Sequence, residues 1–464
     1  MVLALDYMQQ TKQIDAELEK KARDYVAKGY ERLLGFEVKS EPGGFDWWGK
    51  PPANLFLSAY GLMEFLDIAK VHPIDPALPG RIMGYLRKHQ AEDGSWTLEG
   101  QREPWSIQWK KSAFNMTAYI AWALGRADAH KSPGTKKMHT QALEWLRQHL
   151  NAVEDPYGLA LAAHAFHVAD PKSKEVQELI AELLLYKTTD EHGIKWSAAT
   201  STFVGGRGLT GEIETTALVA LLLIEEGRHT DVASQALERL AKWRGPDGRY
   251  GSTHSTVLAL KALLAAAGSE ASDAVRVAKV LRDGVLFREL KLEPHSTQPL
   301  YVDLGTGDPK RFEVQLDGEG RVRTTLRHTV WEKWPETTLP SGPLDLAIAW
   351  PAESLRVGED QTVKVKVTHR SKSKSGMVIL EIGLPPGCHV DRKQVVGDGL
   401  AEAELSERHL VLYLDPIAAG GVREFTFLVR PKHAFKAQTA HSRAYEYYVE
   451  HEQTVRAPQK LEAK

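Results

Sequence analysis

Cys388 is the only cysteine among 464 residues, so the chain can form neither an intrachain disulfide nor a multi-cysteine zinc site. The remaining candidates for chemistry are pairs. His164 and His167, in "LAAHAFHVAD", stand three apart on a helix-like run, which puts both imidazoles on one face where they could begin a metal site. The sequence pairs no further ligand with them, and isolated histidine pairs also serve packing or surface roles. Glu212 and Glu214, in "GEIETTAL", open another predicted helix. Carboxylates there meet the positive end of the helix dipole and unpaired backbone N–H groups, so capping is the expected role and catalysis the alternative. Two carboxylates facing across a cleft could cleave a glycosidic bond, and a single sequence cannot pair them. Trp47 and Trp48 could stack on a carbohydrate or wedge between structural units.

Composition restricts what these residues can serve. A hydrophobic content of 42% and a charged content of 26% are those of a globular protein of two or three domains. Basic and acidic residues nearly cancel, 59 against 61, and nothing points to nucleic acid or another polyanion. No apolar run approaches the ~20 residues of a membrane span. The opening "MVLALDYMQQTKQ" has neither a basic leader nor a small-residue cleavage site, so it does not read as a signal peptide.

The elements that must position the candidates fall into two halves. Up to about residue 284, apolar residues recur at spacings of three and four, with alanine and leucine abundant. Beyond about residue 288 short alternating stretches take over. In "RFEVQLDGEGRVRTTLRHTV" (311–330) a Gly-containing turn separates two strand-like runs, and "QTVKVKVTHR", "GMVILEIGL", "RHLVLYLD" and "REFTFLVRP" continue the style. Antiparallel sandwich modules are expected.

Within the helical half, Gly-containing turns with an aromatic neighbour recur at 43–49, 92–96, 155–158, 192–196 and 245–251. Each precedes a helix rich in small and apolar residues, such as "MTAYIAWALGRA" or "ETTALVALLLIEEG". More charged helices lie between them, from "LEKKARDYVAKGYERLLG" (18–35) to "SDAVRVAKVLRDG" (272–284). A helix apolar all round must be buried, and one with a charged stripe can face water. The alternation therefore predicts an α/α toroid of six helical hairpins whose first inner helix, "MVLALDYM", is truncated. Each Gly-aromatic segment is expected to form a corner of the ring, with glycine in the turn and the aromatic wedged between hairpins.

Toroids serve several chemistries. Terpene cyclases need an acidic cluster of the Asp-x-Asp-Asp or Asp-Asp-x-x-Asp kind, which is absent, and prenyltransferase subunits hold zinc with a cysteine inside the ring. A glycan-active toroid remains open. At "GPDGRYGSTHSTVLALKALLAAAG" (245–268) the sequence resembles the last inner-helix motif of the thioester domain in the alpha-2-macroglobulin and complement family, with His254 where that family usually carries glutamine. "GEIETTALVALLLI", "FNMTAYIAWALG", "DGSW" and "GGFDWWG" fit the same domain, particularly its bacterial members. "GMVILEIGLPPGCHVD", "RHLVLYLDPI" and "AYEYYVEHEQ" are similar to the family's receptor-binding β-sandwich, whose last strand carries such a Tyr-x-Tyr-Tyr run.

The resemblance implies a thioester-type toroid over 1–285, a partial CUB-like β segment over 286–340 and a macroglobulin-type sandwich over 341–464. It implies the C-terminal portion of an endopeptidase inhibitor that traps proteases outside the cytoplasm, extracellular or periplasmic, with no cofactor and no catalytic residue of its own. The family's reactive Gly-Cys-x-Glu-Gln motif precedes a Leu-Asp-Tyr run like that in "ALDYMQQ", and it does not occur in this sequence. Cys388 cannot replace it, because Asp391 stands three positions on. Met1 falls inside the first inner helix, and a fragmentary gene model or split reading frame is therefore expected. In some relatives a histidine in the loop matching "LEGQREPWSIQWKKSA" (98–113) assists acyl transfer, and none occurs here. Arg392 and Lys393 loosely match basic residues that contact a clearance receptor in mammalian relatives, and are expected to be ordinary surface. A non-covalent protein-interaction module is the alternative function, with a glycan-active enzyme behind it.

Overall fold

The computed structural model describes the chain except residues 12–15, 98–112, 128–132, 200, 203–204, 246–247, 270–274, 294–299, 306–310, 319–321, 323, 329, 331–338, 341 and 352–353. The loop over 98–113, of interest for acyl transfer, thus lies almost wholly outside the described residues.

Eleven α-helices are described: α1 Val2–Thr11, α2 Ala16–Leu34, α3 Leu55–Ala69, α4 Leu78–Lys88, α5 Ala113–Arg126, α6 Pro133–His149, α7 Pro156–Ala169, α8 Lys174–Leu185, α9 Gly208–Glu226, α10 Thr230–Lys242 and α11 Thr253–Ser269. Odd-numbered helices are inner and even-numbered ones outer. In α7 every residue from Pro156 to Phe166 is buried, whereas α8 buries one stripe, Val176, Leu179, Ile180 and Leu183. Each inner helix touches the next, and α11 returns to touch α1, so the helices form a closed α/α toroid.

The corners explain the recurring glycine-aromatic turns. Gly43, Gly94 and Gly193 all have positive φ. A Cβ on them would lie 2.2, 2.6 and 2.4 Å from the carbonyl oxygens of Arg81, Gln141 and Gln235, on outer helices α4, α6 and α10. No other residue tolerates both the backbone angle and the approach. The aromatic that follows then pins the inner helix. The backbone N–H groups of Phe45, Trp96, Trp196 and Tyr250 donate to the hydroxyls of Ser58, Thr117, Thr216 and Thr256, at 2.9, 3.0, 3.0 and 2.9 Å. The fully buried indoles of Trp96 and Trp196 also donate to the carbonyls of Leu86 and Leu183, which end outer helices α4 and α8. In the first corner the wedge is Phe45, not Trp47 or Trp48.

The sixth outer helix expected over 272–284 is instead a strand. Arg276–Arg282 pairs antiparallel with Val285–Leu292 on one side and Phe312–Asp317 on the other. Alternate residues Arg276, Ala278 and Val280 are buried, a period of two that the helical spacing of Val277, Val280 and Leu281 had masked. The toroid therefore has six inner and five outer helices among the described residues, and a boundary at 285/286 would cut this hairpin. The hairpin expected across 311–330 also does not form as expected. Its first run is a strand, but the described residues of the second run have no regular structure, because the first finds its partner in Arg276–Arg282.

The β-sandwich follows. One sheet orders Leu400–Leu405, His409–Leu414, Val378–Gly383, Ser442–Glu446, Thr454–Arg456 and Leu339–Pro340. The facing sheet orders Cys388–Val390, Val422–Pro431, Gln361–His369 and Leu344–Ala349. Their inward residues, including Val363, Val365, Val367, Leu380, Ile382, Leu412, Phe425 and Phe427, form a separate buried core, the result of strict alternation along each strand. "AYEYYVEHEQ" is not the last strand: the strand stops at Glu446, and Thr454–Arg456 and Lys460–Ala463 come after it.

Candidate functional site at the ring–sandwich contact

Where the strand stops, the chain turns toward the ring. Tyr447 and Tyr448 pack edge-to-face, with centroids 4.6 Å apart. Tyr448 is 7% exposed and belongs to the apolar core of the toroid, with Tyr447 against it. Beside them Glu446 accepts from Arg207 Nη2 at 2.7 Å and from the Gly376 N–H at 2.7 Å. Arg207 precedes α9, and the following Gly208, at φ +53°, leaves room for the imidazole of His451. A second contact sets the ring of Trp48, before α3, edge-on to Tyr413 at 6.1 Å. The sandwich thus covers the N-terminal side of the inner helices.

The tyrosine turn is held from within the sandwich. Arg443 donates three hydrogen bonds to Glu381, at 2.7, 2.8 and 3.0 Å, and Tyr445 donates to the same carboxylate at 2.8 Å. Although burial works against its charge, these partners keep Glu381 below the usual glutamate range. The strand carrying Glu446 is therefore anchored on both sides of its register with Val378–Gly383.

Apart from His164 and His167, the residues singled out from the sequence occupy separate places. Helix α9 starts at Gly208, four residues earlier than expected, so neither glutamate caps it. Glu212 accepts from Lys195 Nζ at 2.7 Å and Ser197 Oγ at 3.0 Å. Glu214 is fully buried beneath the Arg207 loop, near Ser252 Oγ at 3.5 Å, and burial pushes its carboxyl up to about 8 despite hydrogen bonds from Thr202 and Ser252. His254 is buried against Tyr60, with centroids 5.6 Å apart, and burial lowers it to about 3. His164 is 1% exposed and His167 half-buried, and both line one pocket at the end of the ring away from the sandwich. Among the described residues no group of three histidine, cysteine or carboxylate side chains is arranged to hold a metal ion. Cys388 is half-buried in the sandwich, where burial raises its thiol to about 11. Arg392 and Lys393 lie exposed on a short 3-10 turn, with Arg392 donating to the Ala403 carbonyl at 3.3 Å.

Sequence reasoning missed a polar axis inside the toroid. Tyr60, Glu64 and Asp67 follow one face of α3, at the spacing that would ordinarily mark an apolar stripe. Asp67 receives Arg126 Nη2 of α5 and Lys261 Nζ of α11, both at 2.6 Å, and Lys70 Nζ at 3.3 Å. Burial opposes its charge, but Lys261 and Arg126 outweigh that and hold it well below the usual aspartate range. Such a carboxylate stays ionised and cannot serve as a general acid. The only sequence signal was polar residues placed mid-helix on otherwise apolar staves.

Comparison with known proteins assigns the two units. Residues 1–265 match the A-macroglobulin TED domain family, and residues 373–459 match the A-macroglobulin receptor binding domain family. Ovostatin from Gallus gallus is 22% identical over 98% of this chain, and thioester-containing protein 1 allele S1 from Anopheles gambiae is 22% identical over 85%. The chain spans 32% and 28% of those two proteins. A solved portion of alpha-2-macroglobulin from Escherichia coli shares the fold at TM-score 0.66 and 14% identity, over 98% of this chain and 70% of that one. Alpha-2-macroglobulin from Salmonella reacted with methylamine does so at TM-score 0.62 and 16% identity, over 93% and 27%. With a TED toroid whose inner-helix ends rest on a receptor-binding sandwich, the chain belongs to the alpha-2-macroglobulin and complement thioester family and corresponds to its C-terminal portion.

Proposed function

We propose that this chain is the C-terminal module of an endopeptidase inhibitor that acts by entrapment outside the cytoplasm. The observation that carries this reading is the docking of the sandwich on the ring through Tyr447, Tyr448 and the Arg207–Glu446 pair. It covers the face at the N-terminal ends of the inner helices, toward which a family thioester preceding α1 would lie. Supporting it, Val285–Leu292 exposes residues on both faces, among them Val285 at 70% and Leu286 at 53%. Among the described residues the sheet it edges has three strands, leaving an open face that a further β segment of the family's flanking domain would cover.

The covalent step is not assigned to residues of this chain. A sulfur leaving group must be a competent thiolate, and Cys388, its thiol raised to about 11 and seated in the sandwich, is not one. That same observation favours non-covalent partner binding as the second reading. The protein from its native source, incubated with an active protease, separates them. Entrapment blocks hydrolysis of a large protein substrate while sparing that of a small peptide, and the intact mass shows whether upstream domains are present. Undiminished cleavage of both substrates refutes entrapment.

A further inference from the structure

At the end of the ring away from the sandwich, the C-terminal halves of α3, α5, α7, α9 and α11 surround a pocket of about 350 Å³, with α1 on its wall. Nothing in the covering of the opposite face uses it. Two corners of this pocket have opposite hydrogen-bonding character.

The first is rich in donors. Arg126 and Lys261 meet on Asp67, and Lys70 adds a longer contact there while also reaching Asp6 at 3.5 Å. An ammonium carries three donors and a guanidinium five, all unable to accept, so these cations hold more N–H groups than Asp67 can take up.

The second corner lacks donors. His164 Nε2 lies 3.0 Å from the Leu218 carbonyl, which can only accept, so the proton sits on Nε2. Burial keeps the ring neutral, which leaves Nδ1 as a bare lone pair. No donor among the described residues reaches it. Glu225 Oε2 faces it at 3.7 Å, beyond hydrogen-bond length. One N–H-rich nitrogen seated beside this pair, off the line joining them, can reach both acceptors at once, and the negative C-terminal ends of the surrounding helices favour a positive one. Arg126, Lys261 and Lys70 all act electrostatically on Glu225, so the two corners adjoin.

We propose that this pocket binds a small zwitterion of the α-amino-acid type, with its ammonium between His164 Nδ1 and Glu225 and its carboxylate on the spare donors of Lys261 and Arg126. A simple anion would leave the acceptor corner unpaired, and a simple cation would face three resident ones. The inference rests on the ring alone and stands or falls apart from protease entrapment.

Isothermal titration of the 464-residue chain with glycine tests it, with ethylamine and acetate as single-charge controls. Glycine is expected to bind saturably in the millimolar range, with each control at least about tenfold weaker. Glu225→Gln, an isosteric change at a side chain 43% exposed, is expected to weaken glycine about tenfold while keeping the near-ultraviolet circular dichroism of the parent. Lys261→Met should do the same from the carboxylate end, with the near-ultraviolet circular dichroism of the parent confirming its fold. Absence of glycine binding, ethylamine binding as tight as glycine, or an unchanged affinity in Glu225→Gln would each overturn the proposal.

Discussion

Replacing Glu214 by glutamine should remove a pH dependence built into the ring. The carboxyl is fully buried on α9, and burial moves it from 4.5 to about 8. In the unfolded chain it ionises near 4.5, so between these two values the native state keeps a proton that the unfolded state has lost. Stability from this group is therefore complete below pH 4.5 and falls as pH rises toward 8. At ~1.4 kcal/mol per unit, the loss between about pH 5 and about pH 9 is roughly 4 kcal/mol. Glutamine keeps the shape and never ionises. Guanidinium unfolding followed by tryptophan fluorescence suits the measurement, because Trp96 and Trp196 are wholly inside the ring. The parent should lose roughly 4 kcal/mol more than Glu214→Gln between the two pH values. Equal losses in both proteins would refute the assignment of a buried, protonated carboxyl at this position.

Other expectations follow from the same geometry. Gly193→Ala sets a Cβ against the Gln235 carbonyl at positive φ and should cost about 3 kcal/mol in thermal unfolding. Gly227→Ala, at φ +77° with open space around it, should cost only about 1 kcal/mol. Tyr448→Ala empties a position in the ring core contributed by the sandwich and should cost about 3 kcal/mol, with a larger radius of gyration by small-angle scattering. A double-mutant cycle on Arg207 and Glu446 should yield a coupling of about 1 kcal/mol, since one partner is buried and the other only partly so. Cys388 should alkylate roughly a hundredfold more slowly at neutral pH than a free thiol, because its protonated form persists to a pH about two units higher.

How far the sequence revealed this molecule depended on whether a signal was local. The inner helices were legible because α7 and α9 are apolar nearly all round, and only burial explains such a pattern. The corners were legible because a glycine and an aromatic must share one short turn. Residues 275–282 misled because a short run of valine, alanine and leucine satisfies both helical and extended spacing, and only pairing with Phe312–Asp317 decides between them. The functional contacts were harder still. Tyr447 and Tyr448 looked like part of a strand, and their docking depends on a ring built some two hundred residues earlier. Asp67, Arg126 and Lys261 lie on three helices, and no spacing within any one of them announces that they meet. The misplaced capping role of Glu212 and Glu214 has the ordinary cause that helix starts are the least sharply encoded part of a helix.

The return of α11 to α1 gives the toroid the mechanics of a hoop. A row of hairpins has two ends, and unravelling can begin at either, since an end unit has one neighbour. Here each stave has two, and the contact that closes the circle joins segments about 250 residues apart in the chain. Peeling any hairpin away must break two seams at once, and the released units then lose support from both directions. The thinnest seams of this hoop are those on either side of α1, where any opening begins. The hoop is either closed or fails as a whole, which makes it a rigid platform on which the sandwich can rest.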